Sequence, residues 1–302
     1  MSQSLLDVLH IRISLVSDWG YRHQQCVILF FTLTIAYSMR SCMGVALVVM
    51  TDKTQDTVIS SFFWGYMLTQ IPAGQIAHFF GAKYMLFGAL LINCIVSFCF
   101  PWAACYGGWI VTALFRFLQG LSQACVMPSL HTFFGKWAPL EERGRLAGIA
   151  FGGQAIGTVL GLPITGFIAS SSMGWPGIFR FYGVISGIIA GFLLWLAADT
   201  PAKHPKISDE ERRYIEEGLG QKHEHSNKVR VVPWKKILTC RGMYAIIIAH
   251  IGGAWGQVTL YSEVPAFMDK VMGVNIKAVK SHVLLNYITF LCILPKSLCL
   301  KL

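Results

Sequence analysis

The apolar positions of this chain fall in long runs. A membrane-spanning helix needs about 20 mostly apolar residues. Six such runs occupy roughly 26–50, 58–80, 82–104, 107–134, 146–170 and 177–198. A hydrophilic stretch, 199–240, precedes a seventh run at about 241–262. A last segment, from about Val283 to Leu294, is short and closed by Pro295 and Lys296, which makes it marginal as a span. The pattern predicts an N-terminal segment 1–25, a six-helix transmembrane bundle over 26–198, a connector 199–240 and a partial second bundle over 241–302. Within the connector, Ser208-Asp-Glu-Glu211 has the form of a capping box, with Ser208 closing the helix start and Glu211 reaching back. A short surface helix is expected from about 209 to 219.

Composition agrees with the pattern. Of 302 residues 54% are hydrophobic and 13% charged, about half the charge of an ordinary soluble chain; mean hydropathy is +0.54. A soluble enzyme, a disordered chain and a nucleic-acid binder are thereby disfavoured. The net charge of +10 is placed as a membrane protein places it. Arg12 and Arg22 precede span 1, Lys83 lies in the 2–3 turn, Lys136, Arg143 and Arg145 lie in the 4–5 loop, and the connector is rich in Lys and Arg. The alternate loops are nearly bare. The excess of basic residues marks the cytoplasmic side, so the N-terminus and even loops are expected inside. That topology also excludes a seven-helix receptor, whose N-terminus lies outside. The nine cysteines include no CxxC pair, which argues against a disulfide framework or zinc site. His223-Glu-His225 reads as a solvated triplet in a charged loop rather than a metal site.

Ionisable residues within a bilayer are costly and are functional candidates by default. Spans 1 to 6 hold two, Arg40 and Arg116, and no Asp or Glu away from the span ends. Cations without a carboxylate partner point to an anionic visitor. Thr112, Gln119, Gly120, Gln123, Met127 and His131 fall within about 60° of Arg116 on a helical wheel, opposite Leu114, Phe117, Leu118 and Leu121. Such a stripe turns toward the bundle interior, either as a translocation path, the favoured reading, or as an interhelical hydrogen-bond seam. Arg40 is open between substrate binding and anchoring to backbone carbonyls. Tyr66, Thr69, Gln70 and Ala73 share a face of span 2 that is a candidate cavity lining. Gly153, Gly157 and Gly161 recur every four residues in span 5, the spacing of close helix packing, with a rocking hinge as the alternative.

Four stretches carry a resemblance: SSFFWGYMLTQIPAGQIAHFFGAK (60–83), FRFLQGLSQACVMPSLHTFFGKWAPLEERGRLAG (115–148), TPAKHPKISDEERRYIEE (200–217) and AHIGGAWGQVTLYSEVPAFMDKVMGV (249–274). Over about 26–275 the chain resembles the anion:cation symporters of the major facilitator superfamily, solute carrier family 17. That family includes sodium/phosphate cotransporters, sialin and the vesicular glutamate transporters. YSMRSCMGVALVVM (37–50) is most similar to the inorganic phosphate cotransporter branch.

The resemblance implies an all-α integral membrane fold of two six-helix bundles, alternating access and an anion site at the midplane. Arg116 matches the family's span-4 arginine. Three departures follow. His78 replaces the acidic residue of the 2–3 loop motif, so the usual charge lock there is expected to be absent. Gln123 stands where proton-coupled relatives often carry glutamate, and Ile59 where vesicular glutamate carriers have histidine; both leave sodium the more plausible coupling ion. Lastly, the family has twelve spans and this chain seven or eight, which reads like a C-terminally truncated product.

The expected activity is sodium-dependent symport of inorganic phosphate, with Arg116, Arg40, Gln119, Gln123, Tyr66 and Gln70 as substrate-binding residues. The alternatives are an organic-anion carrier for a sialic-acid-like or other carboxylate, and a non-transporting truncated isoform. No enzyme activity, cofactor, metal site or nucleic-acid partner is expected. Partners are the small anion, the sodium ion, the lipid bilayer, and in an oligomer a second copy or a full-length relative. The plasma membrane is favoured over an organelle.

Overall fold

The computed structural model describes residues 20–49, 55–204, 206–219 and 239–270, and all regular structure in them is helical. The chain divides into two compact units, Met1–Lys222 and His223–Leu302. The first holds α1 (Tyr21–Val49), α2 (Gln55–Phe80), α3 (Ala82–Tyr106), α4 (Gly108–Ala124), α5 (Val126–Trp137), α6 (Arg143–Ala169), α7 (Gly174–Leu196), a 3-10 turn at Pro201–Lys203 and α8 (Asp209–Gly218). The second holds α9 (Arg241–Lys270). The His223-Glu-His225 triplet and the marginal last span lie outside the described residues.

Five segments among the described residues are long and apolar enough to cross a membrane: Tyr21–Met43, Ala82–Tyr106, Gly108–Trp137, Arg143–Ala169 and Gly174–Leu196. The helix in the second predicted run, α2, has 26 residues, but Gln70, Gln75 and His78 dilute it below that set. The fourth run is two helices, α4 and α5, meeting at Cys125. Pro128 explains the break, since it has no N–H to give the carbonyl of Ala124. The Cys125 N–H turns back to the Ser122 carbonyl at 3.2 Å.

The main helix pairs of the first unit are α1 with α6, α2 with α4, and α3 with α7. Glycines sit at all three crossings. A Cβ on Gly153 or Gly157 would strike the carbonyls of Phe30 and Thr34 in α1, and one on Gly161 would meet the Cα of Ser38 at 3.0 Å. The glycine series thus packs span 5 onto span 1, and the Ser38 hydroxyl uses that proximity to donate to the Gly157 carbonyl at 2.7 Å. Gly65 and Gly120 do the same between α2 and α4, facing the carbonyls of Phe117 and Phe62. Gly183 lies against the Cys94 carbonyl between α7 and α3. With little hydrophobic drive between helices in lipid, such backbone proximity lets dispersion and hydrogen bonds hold the bundle.

One end of the unit is closed by charge. Arg22, in the first turn of α1, is 1% exposed, between Glu142 at 7% and Glu211 at 4%. Its Nε donates to Glu142 at 2.9 Å. The expected back-reach of Glu211 to Ser208 is not what forms. The Glu211 N–H does donate to the Ser208 hydroxyl at 3.2 Å. Its carboxylate, however, accepts from the N–H groups of Tyr21 and Arg22, both at 3.1 Å. Glu211 therefore caps α1 from a distant element, where the helix dipole favours an anion. A Cβ on Gly20 would collide with that carboxylate. The predicted surface helix is consequently a docked one, with Tyr214 and Ile215 in the core.

A second carboxylate serves the α2–α3 corner. His78 is exposed there, yet an acidic anchor is present, contrary to the expectation from His78. Asp199, just beyond α7, accepts from the Ala82 N–H at 2.8 Å and from Lys136 at 2.7 Å. Gly81 makes this possible: its φ of +93° suits glycine, and a Cβ there would meet the Asp199 carboxylate. Trp137 and Gln25 complete the seam by donating to the carbonyls of Ala198 and Leu196, at 2.9 and 3.0 Å.

Two outcomes follow from the packing and the clamp. Gly157→Ala should lower the melting temperature of the purified protein in detergent, by overpacking worth about 1–3 kcal/mol. Gly148→Ala, where nothing lies within 4 Å of an added Cβ, should leave it unchanged or raised. Glu211→Ala should destabilise by about 3 kcal/mol, because Arg22 then keeps a buried charge with one partner fewer. The clamp should also weaken in acid. The His204 ring packs on Tyr21, centroids 4.5 Å apart, and edge-on against Trp137 at 6.0 Å. Burial holds its imidazole below the ordinary pKa of 6.5, so its contribution is complete above pH 6.5 and is lost as pH falls through the folded-state value. Hydrogen exchange in α8 as a function of pH reads this directly.

Candidate functional site

The polar stripe of α4 is carried into the unit interior. Thr112, Arg116, Gln119, Gly120 and Gln123 are all buried, held there by α2 on one side, through Gly120, and by α3 on the other. Past the break at Cys125 the stripe changes character: Met127 is half-buried, and His131 is exposed with its ring 5.8 Å from that of Phe151.

Arg116 is 3% exposed, and among the described residues no carboxylate reaches it. Its Nη1 donates to the Gln119 Oε1 at 2.7 Å, and the Gln119 Nε2 donates to the Ser97 hydroxyl of α3 at 2.7 Å. The predicted interhelical seam therefore exists. It leaves part of the cation unused: Nε and Nη2 are buried without a partner. These two atoms lie along one edge of the guanidinium plane and direct their N–H bonds in parallel, the fork that matches two oxygens of a carboxylate or phosphate. The rings of Phe100 and Phe179 stack at 4.2 Å, and the guanidinium carbon lies 5.4 and 5.8 Å from their centroids. Cation–π attraction of this kind is worth about 0.5–2 kcal/mol.

Arg40 has a different setting. It is half-buried, with its guanidinium carbon 4.9 Å from the Tyr37 ring, 5.3 Å from Phe62 and 4.7 Å from Tyr66. Among the described residues it forms no bond to a backbone carbonyl, and three aromatic faces surround it. Its Nε is buried and unpaired. The two arginines share no hydrogen bond or ring partner among the described residues. Tyr66 thus belongs with Arg40, whereas Gln70 is exposed. Gln123 is 4% exposed, and its Oε1 has no donor.

Four residues of this region escaped the sequence reading: Asn93, Ser97, Phe100 and Phe179. Asn93 and Ser97 are one turn apart on a helix that is otherwise almost wholly apolar, a legible signal. Since Ser97 meets Gln119 in the α3–α4 hairpin, the same antiparallel register brings Asn93 to the level of Gln123. The Asn93 Oδ1 is likewise buried without a donor.

A profile of the Major Facilitator Superfamily matches residues 29–296. The chain belongs to the Major Facilitator Superfamily. Among curated proteins of this superfamily, the chain is similar to a Drosophila ananassae protein named "Putative inorganic phosphate cotransporter", 32% identical over 287 residues, or 83% of this chain and 59% of the relative. Human sialin is 32% identical over 294 residues, 85% of this chain and 58% of sialin. Vesicular glutamate transporter 2 of Bos taurus is 37% identical over 233 residues, 75% of this chain and 39% of the relative. The chain thus spans about half the length of the curated relatives it matches. A solved structure with the same fold is the inward-facing, unoccupied bacterial homologue of the human lysosomal transporter Spinster, with a TM-score of 0.56 at 18% identity, covering 87% of this chain and 59% of that one. These relatives are named as transporters, not enzymes.

Proposed function

We propose that this Major Facilitator Superfamily chain serves secondary transport of anions, and that its specific activity is sodium-driven symport of inorganic phosphate by alternating access at the plasma membrane, with the N-terminus inside. One observation carries the anion reading: a buried guanidinium that, among the described residues, meets no carboxylate and keeps one bidentate edge unpaired. A buried charge left in that state is costly, and an oxyanion accepting from Nε and Nη2 removes the cost. Arg40 in its aromatic setting, with Tyr66 beside it, is the second cationic station. Gln70 and Gln123 provide amides along the route. Sodium as coupling ion is supported by the amide of Gln123, which cannot carry a transported proton as a carboxylate does. No cofactor enters the scheme.

The second reading keeps the carrier and changes the cargo to a carboxylate. It is favoured by the same fork, which fits two carboxylate oxygens equally well, and by the similarity to proteins named sialin and vesicular glutamate transporter.

Labelled phosphate uptake with and without sodium, at verified surface level, tests both readings. Sodium-dependent uptake that Arg116→Ala abolishes, with the protein still in the membrane, is the expected result. Retained uptake in Arg116→Ala contradicts the site. Strong competition by excess carboxylate transfers the assignment to the organic-anion reading.

A further inference from the structure

We infer that Gln119 and Ser97 are positioning residues for the anion site, a two-step relay that fixes the Arg116 guanidinium so that its Nε–Nη2 edge faces the anion. The inference rests on the anion reading of Arg116. It also moves Gln119 out of the set of groups that touch substrate. Both ends of its amide are engaged inside the protein, Oε1 by Arg116 and Nε2 by Ser97, each at 2.7 Å.

The chemistry of the three groups sets the direction of the relay. A guanidinium only donates, so the amide must turn its oxygen toward Arg116 and its nitrogen away. The nitrogen then needs an acceptor, and Ser97, 0% exposed on the facing helix α3, supplies one. Arg116 alone already favours this orientation, since in the flipped form an amide N–H would oppose the Arg116 N–H; the Ser97 hydroxyl adds the second bond that holds the amide in place. One guanidinium nitrogen is thereby tied down, with the guanidinium carbon over the stacked rings of Phe100 and Phe179. The remaining edge is the bidentate one. Rigid presentation of a fork lowers the ordering cost on binding. That cost is the quantity the relay controls.

Phosphate binding to the purified full chain in detergent, measured by calorimetry alongside thermal melting, tests the relay. Gln119→Ala should weaken phosphate binding about tenfold or more, in line with the loss of one hydrogen bond to a charged group. Ser97→Ala should weaken it in the same direction, and Ser97→Thr, which keeps the hydroxyl, should restore it. Gln119→Glu should abolish binding while leaving the melting temperature unchanged or higher, because a carboxylate at that position pairs with Arg116 internally. Binding that needs Arg116 but is indifferent to Gln119→Ala and Ser97→Ala overturns the relay alone. Equal loss in Ser97→Ala and Ser97→Thr, tracking a lowered melting temperature, reduces the pair to helix packing and also overturns it. Binding that survives Arg116→Ala overturns the anion reading itself.

Discussion

A guanidinium cannot be neutralised at physiological pH, so the protein must keep Arg116 charged inside a helical unit that offers it no carboxylate among the described residues. Much of the local architecture answers to that constraint. One nitrogen is bound by Gln119, the guanidinium carbon lies over the rings of Phe100 and Phe179, and the helix carrying it is pressed onto α2 through Gly120 and Gly65. Partial satisfaction of this sort is unstable unless something completes it, because unpaired donors in a low dielectric are expensive. The residue is therefore tuned between two failures. A fully paired arginine would have nothing left for an anion, and an unsupported one would be too costly to bury.

The glycine crossings and the charged clamp meet that constraint at different levels. The glycines bring backbone against backbone in each of the three main helix pairs, which leaves room for small groups only, while the α3–α4 hairpin sets the register at which Ser97 meets Gln119. The clamp acts at the other end of the same helices. Glu211 caps α1 and pairs with Arg22, while Asp199 holds the α2–α3 corner and Lys136. Since Glu211 lies on α8, the first part of the connector is bound into the unit and does not hang free beside it. The clamp thus sets where α1 begins, and α1 in turn carries Arg40 into its aromatic surroundings.

The parts of this architecture that depend on local pattern were legible in the residues. The apolar runs place the long helices, the four-residue glycine spacing marks the α1–α6 contact, and the wheel around Arg116 identifies the buried face of α4. What escaped depends on contacts between residues far apart in the chain. The capping box identifies Ser208 correctly, but no local rule says that the Glu211 carboxylate prefers the open N–H groups of α1, some 190 positions away. His78 likewise suggests a missing lock, and only the fold shows Asp199 arriving from the end of α7. The break at Cys125 follows from Pro128 and was readable, although the unbroken apolarity of the run concealed it. Ser97 and Asn93, one turn apart in an apolar helix, were legible as a polar pair, but only the fold shows that Ser97 meets Gln119.

The position of the bound anion is decisive. The most direct measurement is the magnetic dipolar coupling between the phosphorus of bound phosphate and isotopically labelled arginine side-chain nitrogens, recorded by solid-state resonance on the full chain in lipid. Contact-range coupling to a guanidinium Nε and one Nη, absent in Arg116→Lys, is the predicted result. Bound phosphate with no coupling to arginine nitrogens, or with coupling unchanged by Arg116→Lys, would contradict it.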